Sequence, residues 1–343
     1  MNDPFPRDQV KIAVIGGGTG SFTLLSALKE YSRSIAAIVN MADDGGSTGV
    51  LRDELGTLPP GDVRQCLVAL SDSPKVRDLF NYRFEEGTFA GHAFGNLLLG
   101  ALEKMTGSFS EAVETASDIL RVNGVVIPAT LDDVRLKMEW PNESDEATLR
   151  GEGVIDARSF THDPRQAILS LTPNAHANPA ALAAIKEADL VIIAPGDLYT
   201  SLGPLLVIDG FKEALQETEA VKLYVANLVT KKGQTDNFTV SDHASEIERF
   251  VGGEFLDYVL YNQQQPDAEL TKRYEAEGAY LSSYDAGTLE AQHYTAIGGN
   301  FLGIIASAHK SDVLPVTRSL IRHDSGAVAR AIMDLYTNVI TKK

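Results

Sequence analysis

Five short apolar runs rich in β-branched residues, at 11–15, 35–40, 190–194, 223–227 and 258–262, are separated by stretches with the three-to-four-residue spacing of amphipathic helices. Two strands that pair in parallel need a long crossover between them, and a helix supplies it. The alternation therefore predicts βαβ units and a mostly parallel, Rossmann-like doubly wound α/β sheet. Between about 122 and 160 the texture changes to VVIPAT, VRLKMEW and TLRGEGVI, short alternating segments with Pro128, Pro141 and Gly151 at their turns. That pattern predicts a small antiparallel β insertion, a meander carried by a single α/β domain that takes in the whole of 1–343.

The first strand ends in glycines. Residues 12–20 read IAVIGGGTG, so the chain leaves a strand through Gly17, Gly18, Thr19 and Gly20 and enters a helix. Such a turn exposes backbone N–H groups at a helix N-terminus, where the dipole adds positive potential and phosphate is the natural occupant. It is not the dinucleotide fingerprint: the third glycine of that pattern falls on Ser21, and the next strand ends in Asn40 rather than an acid for a ribose hydroxyl. Both features argue against NAD and a dehydrogenase. A second glycine loop, Asp43-Asp44-Gly45-Gly46-Ser47-Thr48-Gly49, follows the next strand. Two adjacent carboxylates on a glycine turn repel each other and sit more easily beside a cation, so Asp43 and Asp44 are candidate ligands for the Mg²⁺ that accompanies many diphosphates. The alternative for this loop is a solvated turn with Asp44 as an Asx cap.

Open parallel sheets bind ligands outside the carboxyl ends of their strands, so the later strand-end loops are candidate walls of the same site. One offers Gly196, Asp197, Tyr199, Thr200 and Ser201; another offers Asn227, Thr230, Lys231 and Gln234. Strand-end asparagines can read a uracil or amide edge and are equally good turn residues. In Gly61-Asp62-Val63-Arg64-Gln65, Asp62 reads as an N-cap with Gln65 closing a capping box, or as a functional acid; Arg64 points off the apolar face and is available to an anion. In GHAFGNLLLGALEKM, Phe94, Leu97, Leu98, Ala101, Leu102 and Met105 form the expected buried stripe, leaving His92, Gly95, Asn96 and Leu99 as an uncharged opposite face. That face is either a second packing surface or a wall for a ligand.

Net charge is −17, from 30 basic and 47 acidic side chains, so long-range fields repel nucleic acid and anionic lipid. An anionic ligand must be held by local devices. No signal pattern opens MNDPFPRDQV and no apolar run approaches membrane-spanning length, which gives the expectation of a cytoplasmic protein with no membrane insertion. The single Cys66 keeps step with Val63, Leu67 and Leu70 on one helical face and is expected in the core.

Taken in order, GGGTG at 16–20, MADDGGSTGVLR at 41–52, LPPGDVRQCLVALS at 58–71, GHAFGNLLL at 91–99, PGDLYTS at 195–201 and NLVTKKGQT at 227–235 resemble the motif set of the YvcK/CofD-like superfamily, which holds gluconeogenesis factors and the 2-phospho-L-lactate transferases of deazaflavin coenzyme synthesis. The 321–324 segment, Ile-Arg-His-Asp, resembles the gluconeogenesis-factor branch. The resemblance implies a protein that binds UDP-N-acetylglucosamine and helps set cell shape and wall synthesis, often as a homodimer. It implies that the GGGTG and Asp43-Asp44 loops cradle a diphosphate, that Asn227 and its neighbours line the nucleotide pocket, and that Tyr274 and Arg322 meet the sugar or a phosphate. Asp197, Leu205 and Gln234 depart from the usual residues; Asp197 beside a diphosphate would be repulsive unless a cation intervenes. Two functional classes follow. A nucleotide-sugar sensor needs donors and shape and no required cofactor. A Mg²⁺-dependent phosphoester-group transferase would add His92 or Asp62 as general base.

Overall fold

An isolated strand cannot bury both of its faces, yet every residue of Ile12–Gly16 is buried, which places it in the middle of a covered sheet. The computed structural model describes residues 10–141, 143, 147–276, 278–303 and 321–340. Its strands in chain order are β1 (Ile12–Gly16), β2 (Ile35–Val39), β3 (Val125–Pro128), β4 (Arg135–Glu139), β5 (Leu149–Arg150), β6 (Ile168–Thr172), β7 (Leu190–Ile193), β8 (Val221–Val225), β9 (Tyr258–Asn262) and β10 (Thr295–Gly299). Seven form one sheet in the order β10-β9-β8-β7-β1-β2-β3, every pair parallel. The chain builds outward from β1 through β2 to β3, then returns to the other side of β1 with β7. That reversal is a topological switch point, and the crevice above it is where open parallel sheets hold ligands.

The sheet's two faces define two cores. Ala13 and Ile15 face one, shared with the insertion residues Leu136 and Met138 and with the helices Pro179–Glu187 and Val240–Val251. Ile12 and Val14 face the other, with Leu24, Leu25 and Leu28 of helix Gly18–Leu28, Cys66 and Leu67 of helix Gly61–Leu70, and Ile332 of the final helix Ser325–Ile340. Each buried Leu or Ile contributes roughly 1.5–3 kcal/mol, so the double layer is the main source of stability. Cys66 is fully enclosed, and burial pushes its thiol pKa far up, so it packs as a small hydrophobe.

The insertion is antiparallel, in the order β5-β4-β6. Its boundary differs from the sequence reading. Val125–Pro128 belongs to the parallel sheet, paired with β2 at the edge, and the third antiparallel strand is Ile168–Thr172, beyond the expected end. An edge position tolerates Pro128, which has no N–H to give to a ladder. Strand β10, TAIGG, escaped the hydrophobic pattern because two of its five residues are glycine.

Helix Phe94–Thr106 uses its uncharged face as the packing surface that was one of its two readings: Gly95, Asn96, Leu99 and Gly100 are buried, and of the expected stripe Leu102 is buried while Met105 is 72% exposed. Gly95 explains the choice: a Cβ there would stand 2.8 Å from both the Arg64 Cδ and the Phe80 carbonyl. Only the glycine face can approach the neighbouring helices closely.

Candidate functional site

Helix Gly18–Leu28 starts directly after β1, with Gly17 extended at its N-cap and Gly18 at φ +64°. The turn faces a cavity of about 740 Å³ lined by Gly17, Gly18, Thr19 and Gly20, a size suited to a nucleotide-scale ligand. Gly20 has a further role, since a Cβ there would run into the Pro195 carbonyl, so the loops after β1 and β7 press together.

Asp62 faces this turn. The N-cap of helix Gly61–Leu70 is Pro60 with no side-chain cap bond, so the capping box with Gln65 is not formed. Asp62 instead lies against Gly17, with its Cγ 3.2 Å from where a Gly17 Cβ would stand. Burial, then the field of Asp43, pushes its carboxyl up to about 7, against the opposing pull of the Gly18 amide. Asp43 also lines the cavity. Its Oδ1 accepts from Gly45 N at 2.9 Å, so the Asx turn belongs to Asp43 and not to Asp44. Burial raises the Asp43 pKa, its bonds to Gly45 and Thr48 oppose the rise, and Arg52 braces the loop by donating to the Asp43 carbonyl at 2.8 Å.

A third acid, Glu152, arrives from the insertion. An Asp43 and a Glu152 carboxylate oxygen each lie 3.4 Å from the position of a Gly45 Cβ. Burial, followed by the fields of Asp43, Asp156, Asp44 and Asp62, drives Glu152 up to about 9. The sequence reading missed it because Gly151-Glu152-Gly153 lies on an antiparallel connection, away from the parallel strand ends where ligand residues were sought. Among the described residues, no three His, Cys, Asp or Glu side chains are placed to hold a metal by themselves. The crowded acids do suit a Mg²⁺ that takes one or two carboxylates and completes its shell with phosphate oxygens and water.

The opposite wall comes from β7 and β8. Gly196, Thr200, Ser201, Asn227 and Thr230 line the cavity. The Asn227 amide is engaged with backbone, accepting from Gly196 N at 3.3 Å and donating to Gly196 O at 2.8 Å, so it fixes the β7 loop. Asn40 ties the β2 loop down similarly, its Oδ1 accepting from Ala42 N at 3.0 Å. The feared repulsion of Asp197 is met within the chain, because Lys231 Nζ donates to Asp197 at 2.9 Å and also pairs with Asp156 of the insertion. Gln234 donates to the Ile155, Asp156 and Arg158 carbonyls and locks the insertion onto this wall. Tyr274 and Arg322 both reach the cavity, and the Tyr274 hydroxyl accepts from Ile321 N at 2.9 Å, which holds the Arg322 segment in place. His323, also lining the cavity, is kept neutral by burial, its pKa lowered to about 4.

Seven predicted residues lie elsewhere. Asp44 Oδ1 accepts from Gly153 N at 2.8 Å and anchors the insertion. Gly45, Gly46 and Ser47 begin helix Gly46–Leu55 outside the cavity lining, so the second glycine loop presents Asp43 to the site and not its amides. Asn96 accepts from Arg64 Nε at 2.9 Å and supports Arg64, which does line the cavity. Tyr199 points into the core, donating to Glu246 at 2.9 Å. His92 is outside the lining and its Nδ1 is enclosed without a partner, which leaves Asp62 as the candidate general base at the cavity.

Residues 12–302 match the family described as "2-phospho-L-lactate transferase CofD". A relative from Clostridium acetobutylicum is 40% identical over 326 residues, covering 94% of this chain and 69% of the relative. The gluconeogenesis factor of Bacillus subtilis is 39% identical over 328 residues, covering 95% of this chain and 98% of that one. A crystal structure of a Bacillus halodurans protein superposes with a TM-score of 0.84 at 35% identity, covering 95% of this chain and all of that one. On the extent of these matches and on the shared parallel sheet, the chain belongs to the CofD family, among the relatives that carry the gluconeogenesis-factor name.

Proposed function

We propose that this protein binds a uridine diphosphate sugar of the UDP-N-acetylglucosamine class in the cleft above β1 and β7, and reports its occupancy to carbon metabolism and cell-wall synthesis in the cytoplasm without turning it over. The observation that carries the reading is the glycine turn Gly17–Gly20 opening a helix N-terminus into the cavity, with Lys232 and Arg322 also lining it in a strongly acidic protein. Dipole and amides suit a diphosphate, and the cations supply local attraction where the net charge gives none. The gluconeogenesis-factor name of the Bacillus subtilis relative agrees with a regulatory role.

The acid cluster favours a second reading, Mg²⁺-dependent phosphoester transfer. Asp43 would hold the ion, which would supply charge neutralisation at a diphosphate leaving group. Asp62, its carboxyl pushed up to about 7 by burial, is then the residue able to take a proton from an incoming hydroxyl. Thermal unfolding with UDP-N-acetylglucosamine, UDP, GTP and NAD, each with and without Mg²⁺, tests both. A ligand at 100 times its Kd stabilises by about 2.7 kcal/mol. A shift with the UDP sugar and no product over an hour supports the sensor; a phosphorylated product replaces it with the transferase; no shift with any uridine nucleotide overturns the nucleotide-sugar assignment.

A further inference from the structure

Arg64 and Arg83 line one end of the cavity together with Asn81. They are carried by helix Gly61–Leu70 and by the chain just after helix Pro74–Asn81, whereas Asn227 and Thr230 follow β8 on the other wall. Arg64 is only 7% exposed. Its Nε donates to Asn96 Oδ1 at 2.9 Å and its Nη1 to Asn81 Oδ1. Both acceptors are neutral amides, so the guanidinium is oriented without being neutralised. Among the described residues neither arginine forms an ion pair with an Asp or Glu. The field of Asp62 opposes the lowering of the Arg64 pKa, and Asp62 itself faces the glycine turn. Arg83 Nη1 donates to the Gly91 carbonyl while its Nε is enclosed with no partner at all. Burial and the field of Arg83 both lower the Arg64 pKa, to about 10, the sign of two like charges held close.

Two neighbouring guanidinium groups, one of them buried, whose hydrogen-bond acceptors are neutral amides and a carbonyl are costly in a protein with 17 surplus negative charges to draw on. An arrangement of this kind lowers its free energy when an oxyanion enters, because the planar fork matches two oxygens of phosphate or carboxylate at once. We propose that Arg64, Arg83 and Asn81 form a second oxyanion subsite, which holds a phosphoryl or carboxylate group at the same time as, and separately from, the diphosphate placed at Gly17–Gly20. The cleft then takes two anionic groups at once, the second belonging to a co-ligand or to a substituent beyond the diphosphate. This rests on the reading of the cleft as a nucleotide diphosphate site.

The test uses the full chain. Binding of inorganic phosphate is followed by thermal unfolding and by calorimetry, alone and with saturating UDP, for the wild type and for Arg83→Gln. A parallel titration with acetate separates a phosphoryl from a carboxylate preference. The expected result is phosphate binding that persists in the presence of UDP and is weakened about tenfold to a hundredfold by Arg83→Gln, the scale of one charge-assisted hydrogen-bond pair, with UDP affinity unchanged. Arg83→Lys, which keeps the charge and loses the fork, provides a second variant should the first unfold, and is expected to bind phosphate more weakly than the wild type. Phosphate that competes with UDP, phosphate that does not bind, or an Arg83 variant that weakens UDP and phosphate alike overturns the second subsite. Failure of UDP to bind while phosphate still depends on Arg83 keeps the oxyanion site and overturns the nucleotide reading instead.

Discussion

The carboxyl group of Asp62 fills the space beside Gly17 that any other residue's Cβ would claim: Asp62 Cγ and Asn40 Cβ each lie 3.2 Å from that position. The loop that exposes its amides to the cavity is thereby locked to an acid whose carboxyl burial pushes up to about 7.

Gly17→Ala is accordingly expected to destabilise the protein by about 1–3 kcal/mol, the usual penalty of overpacking, and to abolish the stabilisation given by UDP. Gly17 is extended, so backbone strain does not enter; the conflict is spatial. An alanine at an unobstructed extended glycine would stabilise slightly by restricting the unfolded chain, so the sign of the change in denaturant midpoint decides the matter.

The acid cluster predicts an unusual pH profile. A carboxyl whose folded pKa exceeds its unfolded value binds more protons folded than unfolded between the two, so stability falls as pH rises through that window. For Asp62 the window runs from the ordinary 3.8 to about 7, and for Glu152 from 4.5 to about 9. Melting temperature should therefore decline from mildly acidic to alkaline pH. Asp62→Asn should flatten the lower part of the slope and Glu152→Gln the upper part. Unchanged slopes in both variants would refute the assignment.

Tyr199→Phe should cost about 1 kcal/mol by removing the hydrogen bond to Glu246, which keeps its bonds to Arg249, and should leave ligand affinity untouched. A tenfold loss of UDP-sugar affinity in a folded Tyr199→Phe protein would return this residue to the site.

Asn96→Ala removes the Oδ1 that accepts from the Arg64 Nε and leaves a buried guanidinium short of a partner. The expected cost is about 1.5–3 kcal/mol in a denaturant titration, more than its modest side-chain volume alone would give.

Arg322→Ala should weaken the UDP sugar in calorimetry while the unliganded protein retains its melting temperature within a few degrees, because Arg322 lines the cavity and is only partly buried. Equal affinity in the variant would remove this segment from the site.

The sequence by itself determined the parallel α/β sheet, the glycine turn after β1 and the inward placement of Cys66, because each is written in a local period or a local φ requirement that packing had no reason to override. It located Asp43, Asp62 and Arg64 on elements that converge, yet it left open whether the Gly95 face of Phe94–Thr106 packs or lines a site and overstated the stripe through Met105, since the decisive fact was how closely Gly95 lets two helices approach. Glu152, Arg83, the Lys231 bridge between Asp156 and Asp197, and the use of Asp44 to hold Gly153 belong to the tertiary structure alone. The last pair is 109 residues apart and Lys231 lies 75 residues from Asp156. Contacts over such separations depend on how the antiparallel insertion docks against the strand ends, and docking is settled by side-chain packing that no short window of sequence contains.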